Sequence, residues 1–144
     1  MIYSIGYQKF TLAQIIQIMD EKGVTVLVDL RSIPASRWSE KREFNKANMY
    51  HTLGTRYAWK GKVLGGKPGP ATEEGLDWLR KKHEKGCTIL IMCMEADPLK
   101  CHRYSDIGIR LLARGIDVFH IQTDGSLIAT ATYARWQSEL KGEA

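Results

Sequence analysis

The residues with the greatest chemical capacity fall in one run, Cys93-Met94-Glu95-Ala96-Asp97-Pro98-Leu99-Lys100-Cys101-His102-Arg103. A thiol near a helix N-terminus and beside His or Arg has a lowered pKa, so Cys93 or Cys101 is a candidate nucleophile with His102 as its proton acceptor. Arg103 is a candidate anion contact. Asp97 before Pro98 has the form of a helix cap, which leaves Glu95 as the candidate general acid or base. The competing reading treats both cysteines as small buried hydrophobes and His102 as a helix-start residue.

Two familiar chemistries are disfavoured by spacing. A zinc site built on Cys93, Cys101 and His102 lacks the paired C-x2-C arrangement, and Cys87 lies at the other end of a strand, on the order of 20 Å away; no metal ligands are assigned. A cysteine phosphatase places its arginine six residues after the nucleophile, and that position after Cys93 is Leu99.

A second chemical run is Asp29-Leu30-Arg31-Ser32-Ile33-Pro34-Ala35-Ser36-Arg37-Trp38. Asp29 and Arg31 are two apart, so on a strand they share a face, either paired with each other or turned to a substrate. Arg37, Arg42 and Lys46, interleaved with Trp38 and Phe44, suit phosphate contact with aromatic stacking on a base, or are solvated charges around satellite core aromatics. The candidate catalytic set is therefore Cys93, Glu95, Cys101 and His102. The candidate substrate-binding set is Asp29, Arg31, Ser32, Arg37, Trp38 and Arg103.

Positioning these runs requires an alternation of strands and helices. Ile2–Ile5 reads as a short strand. Thr11 with Gln14 forms a capping box for a helix through Leu12, Ile15, Ile16 and Met19 that stops at Gly23, and 25–30 is apolar on both faces, as in a buried parallel strand. A polar loop 31–44, a helix 45–53, a strand 56–59 and a loop 61–70 follow. Thr72 caps a helix to Lys85, and the apolar run 88–94 is the central strand. Asp97 then starts a helix running to Gly115, with a strand over 117–121 and a closing helix over 129–140. The fold class expected is α/β, a single layered domain over 1–144 with a mostly parallel central sheet flanked by helices in a Rossmann-like or rhodanese-like arrangement. In such sheets ligands bind beyond the carboxyl ends of the strands, which is where both runs begin.

Composition agrees with a single folded unit. The 144 residues are 44% hydrophobic and 26% charged, with no stretch approaching a membrane span and no signal-peptide layout, so a cytoplasmic protein without a membrane partner is expected. Three cysteines argue against a disulfide framework. A net charge of +5 favours an anionic partner, nucleotide or nucleic acid among them.

Several motifs, in order, resemble a known family: Tyr3-Ser4-Ile5-Gly6-Tyr7, Val28-Asp29-Leu30-Arg31-Ser32-Ile33-Pro34 with Ser36-Arg37, Phe44-Asn45-Lys46, Arg56-Tyr57, Leu64-Gly65-Gly66 and Cys93-x-Glu95-x-Asp97-Pro98-x-x-Cys101-His102-Arg103. Together they are similar to the domain-of-unknown-function 488 family, from the first strand to His120-Ile121. The resemblance implies a compact α/β domain and points to the same two loops, and it supplies no reaction. A weaker likeness to rhodanese-type sulfurtransferases rests on Asp-x-Arg, the strand-ending Cys and Leu111-Leu112-Ala113-Arg114-Gly115. Their short loop around the cysteine differs from the ten residues between Cys93 and Arg103.

Three functions follow as expectations. The first is an enzyme acting on a nucleotide or nucleic acid, with Arg31, Arg37 and Arg103 on phosphate and Glu95, Cys101 and His102 doing chemistry. The second is a thiol-dependent transferase with Cys93 as carrier. The third is a non-catalytic nucleic-acid-binding module. Cofactor and oligomeric state are left open by the sequence.

Overall fold

The computed structural model describes residues 1–36 and 38–142. A six-stranded sheet is built from β1 (Ile2–Gly6), β2 (Val26–Asp29), β3 (Tyr57–Trp59), β4 (Ile89–Cys93), β5 (Val118–Ile121) and β6 (Leu127–Ala129), in the order β3-β2-β4-β1-β5-β6. All pairings are parallel except β5 with β6. The α/β class expected from the alternation of patterns is the one observed, and β4 is central, bonded to β2 on one side and β1 on the other. A doubly wound dinucleotide-binding sheet runs 3-2-1-4-5-6; here β4 is inserted between β2 and β1.

Side-chain alternation along the strands divides the core into two layers. One face carries Tyr3, Ile5, Leu27, Leu90 and Met92 against α1 (Leu12–Lys22) and α2 (Lys46–Leu53). The other carries Ile2, Val28, Ile89, Ile91 and Val118 against α3 (Gly61–Leu64), α4 (Glu73–Glu84) and α5 (Ile109–Leu112). The capping box of Thr11 and Gln14 starts α1, and Gly23 ends it at φ 66°. Thr72 caps α4 by accepting from the Gly75 amide. A closing helix, α6, spans Thr130–Leu140. No helix among the described residues is long and apolar enough to cross a membrane.

Four segments differ from the expectation. Ser39–Phe44 forms a 3-10 helix inside the expected loop, because Phe44 is fully buried and the Lys41 ammonium donates to the Phe10 and Tyr7 carbonyls. Gly61–Leu64 is helical rather than loop, with Leu64 driven into the second core layer. The helix expected from Asp97 to Gly115 is broken into a 3-10 turn Pro98–Lys100, an extended Cys101, a π-helical turn Arg103–Gly108 and α5. Finally, β6 precedes α6 and folds back on β5 through a turn at Gln122–Ser126, with Gly125 at φ 87°.

Candidate functional site

Strand register brings the chemical runs to one rim. Gly6 lies beside Cys93 and Asp29 beside Met92, so the loops leaving β1, β2 and β4 start at the same level. Gly6 is required there by contact: a Cβ on it would stand 1.8 Å from the Glu95 carbonyl oxygen. That carbonyl accepts from the Arg103 guanidinium at 2.6 Å, so the glycine lets the β4 loop fold inward over β1. Gly6→Ala must displace this backbone, at a cost of about 1–3 kcal/mol by analogy with overpacking. Urea unfolding measures it, and an unchanged midpoint would refute the close packing.

Asp29 and Arg31 pair with each other. The guanidinium donates to both carboxylate oxygens, Nε to Oδ1 at 2.8 Å and Nη2 to Oδ2 at 2.6 Å, and Nη2 also reaches the Phe44 carbonyl. Nη1 points at the Tyr7 hydroxyl at 3.3 Å. The Tyr57 hydroxyl donates to the second Asp29 oxygen at 2.5 Å. Burial would lower the Arg31 pKa, but the carboxylate outweighs it and holds the cation. Asp29 is fully buried and Arg31 nearly so, hence the pair is a strut tying β2 to the 3-10 helix and the end of β1. Of the two arrangements open to Asp29 and Arg31, pairing with each other is the one the side chains adopt.

At the end of β4 the two thiols meet, Cys93 Sγ and Cys101 Sγ standing 2.7 Å apart. Arg103, fully buried, closes the site from behind: Nη1 donates to Cys93 Sγ at 3.0 Å and to the Glu95 carbonyl, Nη2 to the Ala96 carbonyl, and Nε to Ser4 Oγ at 3.1 Å. The break at Cys101 and the π-helical turn turn this side chain inward, a distortion often found at functional sites. Arg103 is therefore a fixed charge behind the sulfurs, with its donors engaged inside the protein. With the sulfurs in contact, ionising one thiol disfavours ionising the other. A hydrogen bond from Cys93, followed by bonding to His102 and the Arg103 charge, lowers Cys101 to about 4 against the cost of burial. Cys93, donating that bond and buried, is pushed up.

Behind Arg103 runs a hydrogen-bond chain whose direction is fixed by its end. The Thr130 hydroxyl donates to the Val118 carbonyl, so it accepts from His120 Nε2–H at 2.8 Å. His120 Nδ1 is then an acceptor for the Ser4 hydroxyl, which in turn accepts from Arg103 Nε. Burial first, then the Arg103 charge, lowers His120 to about 3, in keeping with this neutral tautomer. Ser4 and His120 sit side by side in β1 and β5 on the second core face, and no buried side-chain nitrogen or oxygen among the described residues lacks a partner.

His102 faces the other way. Its Nε2 donates to the Leu64 carbonyl at 3.1 Å while Nδ1 lies 3.8 Å from Cys101 Sγ. Burial opposes charge here, yet the Cys101 sulfur and the Leu64 carbonyl raise the pKa, favouring the charged ring beside Cys101. The ring packs over Gly66, where a Cβ would meet it at 3.3 Å. Ser32 Oγ donates to the Lys67 carbonyl at 3.0 Å, holding the chain after α3 against the β2 loop.

These loops enclose a cleft of about 580 Å³, lined by Arg31, Ser32 and Ile33 from the β2 loop and by Cys93, Glu95, Cys101 and His102 from the β4 loop, with Lys67 and Lys100 also in its lining. Both lysines are exposed and neither forms an ion pair among the described residues. Residues 11–70 match the family model of DUF488, a domain of unknown function. The match covers less than half of the 144 residues. It includes Asp29, Arg31, Ser32, Gly66 and Lys67 and ends before β4, so of the resemblance expected from the first strand to Ile121 the match supports residues 11–70. No curated protein and no solved structure matches the chain.

Of the residues singled out by sequence, the matched segment contributes Arg31 and Ser32 to the cleft, and the β4 loop contributes Cys93, Glu95, Cys101 and His102. Asp29 lies beneath it. Trp38 is 45% exposed outside the lining, Phe44 is a buried core aromatic, and Lys46 rests over the Trp59 ring at 4.3 Å. Arg37 lies outside the described residues. Glu95 is not unemployed as expected, because its carboxylate accepts from the Asp97 amide at 3.1 Å. Asp97 caps the following turn through Leu99. Sequence reasoning missed Lys67, Lys100, Ser4 and His120. For the last two the signal was a polar residue at an inward position of a buried strand.

Proposed function

We propose that this protein is an enzyme whose nucleophile is the Cys101 thiolate, acting on an anionic substrate drawn to Lys67 and Lys100. The observation that carries this reading is the contact of two thiols with Arg103 behind them and His102 beside them, on the wall of an open cleft. It moves the transferase expectation from Cys93 to Cys101. The nucleotide version survives only with the lysines as phosphate contacts, since the donors of Arg31 and most of those of Arg103 are already engaged. A purely nucleic-acid-binding module would leave the paired thiols without a role.

Alkylation tests the reading. Iodoacetamide should label Cys101 before Cys93, with a rate that is half-maximal near pH 4 rather than near the ordinary thiol value of about 8.5. At low salt, anionic iodoacetate should gain on neutral iodoacetamide relative to a free thiol, and Lys67→Gln with Lys100→Gln should abolish that gain. Labelling of Cys101 only above about pH 8 would overturn the assignment.

A further inference from the structure

We infer that Cys93 and Cys101 turn over as a pair, and that the substrate is a small disulfide bearing carboxylates, reduced to two thiols while the pair joins. The inference rests on Cys101 as nucleophile and adds the bond that it attacks. A thiolate that forms a thioester or a phosphocysteine has no use for a second thiol in contact, since hydrolysis or transfer releases it. A thiolate that forms a mixed disulfide does, because the neighbouring thiol releases the substrate by exchange. Here the second thiol stands 2.7 Å away and is held there by Arg103, which Ser4, His120 and Thr130 fix in turn. Cys101 is 8% exposed on the wall of a cleft of about 580 Å³, which admits a slender small molecule rather than a protein surface. Lys67 and Lys100, which also line that cleft, supply the partners for its carboxylates.

The steps balance as follows. Cys101 S⁻ attacks one sulfur of the substrate, forming a Cys101–substrate disulfide, and the first substrate thiolate leaves with the proton of the His102 imidazolium. Cys93 then loses its proton and attacks the Cys101 sulfur as a thiolate, forming the Cys93–Cys101 disulfide, and the second substrate thiolate leaves and takes up that proton. Two electrons pass from the protein pair to the substrate, and an external dithiol restores the pair by the same exchange.

The test uses full-length protein carrying Cys87→Ser, fully reduced, with dithiobis(nitrobenzoate) as the dicarboxylate disulfide. Two nitrothiobenzoate thiolates per protein should be released, and the intact mass should fall by two hydrogens with no adduct. Cys93→Ser, or Cys93→Ala should the serine variant fail to fold, should release one thiolate and retain a mixed disulfide on Cys101. Persistent adducts on the protein with Cys93 in place would overturn the pairing while leaving Cys101 as nucleophile. Undiminished reaction at Cys93 in Cys101→Ser would overturn the nucleophile itself. Neutral dithiodipyridine reacting as readily relative to a free thiol, with no effect of Lys67→Gln or Lys100→Gln, would overturn the carboxylate-bearing class alone.

Discussion

Asp29→Ala is expected to lower the free energy of unfolding by about 3–5 kcal/mol, the usual cost of removing one partner from a buried ion pair. The substitution leaves the Arg31 guanidinium, only 8% exposed, with the Phe44 carbonyl and the Tyr7 hydroxyl as its remaining partners. It also deprives the Tyr57 hydroxyl of its acceptor, adding an unsatisfied buried group. Most of the penalty arises from the stranded cation, so Asp29→Ala combined with Arg31→Met should be more stable than Asp29→Ala alone. Urea melts of the two single variants and the double variant measure this. A loss below about 1 kcal/mol for Asp29→Ala would show that the pair is no more than a surface salt bridge in its effect. The same set bears on the cleft, because Arg31 holds Phe44 and Tyr7 together: Asp29→Ala should also slow labelling of Cys101 by iodoacetate, and the double variant should restore the fold better than the labelling.

What the sequence disclosed about this site depends on how local each cause is. The unbroken apolar run at β4 implies burial on both faces, and that is enough to place Cys93 at a central strand end. The spacing of Asp29 and Arg31 implies a shared face, and the structure makes them partners. The convergence of the two loops follows from strand ends sharing a rim in a parallel sheet. The roles of the arginines were not local. Arg103 is turned inward by Ser4, the Cys93 sulfur and two carbonyls contributed by other segments, and no propensity of its own run announces that. The break of the expected helix at Cys101 has the same origin, because the chain gives up regular α-helix where Arg103 reaches its buried acceptors. Gly65-Gly66 read as loop punctuation, whereas the packing of His102 over Gly66 is a tertiary contact. The β6 strand is a different case: Asp124-Gly125 between His120-Ile121 and Leu127-Ile128 is a hairpin signal of ordinary strength that the closing-helix reading passed over.

Acid should unfold this protein through His120. Its folded-state pKa is lowered to about 3 from an ordinary value near 6.5, by burial and by the Arg103 charge. The unfolded chain therefore binds one more proton than the folded chain between those values, so stability rises with pH across that window and is lost as pH falls through it. The full loss is on the order of 4 kcal/mol by pH 3. Cys101, lowered to about 4, acts in the same direction over part of the range. His102, whose pKa is raised, contributes stability that is present below its unfolded value and lost only as pH rises through the folded one, so it does not offset the acid loss. His83, beside the Met1 amine, is lowered by partial burial and that charge, and His83→Gln is the control for it. His120→Gln keeps a donor for Thr130 and removes the titrating ring. At pH 7 it should cost about 1–3 kcal/mol through the disturbed bond to Ser4. Below pH 6 its stability should fall less steeply than that of the parent, by up to one proton, so the gap between the two narrows toward pH 4. Chemical unfolding at a series of pH values tests this directly, and parallel slopes for His120→Gln and parent would mean that His120 already carries a proton in the folded core, reversing the hydrogen-bond direction assigned from Thr130 to Arg103.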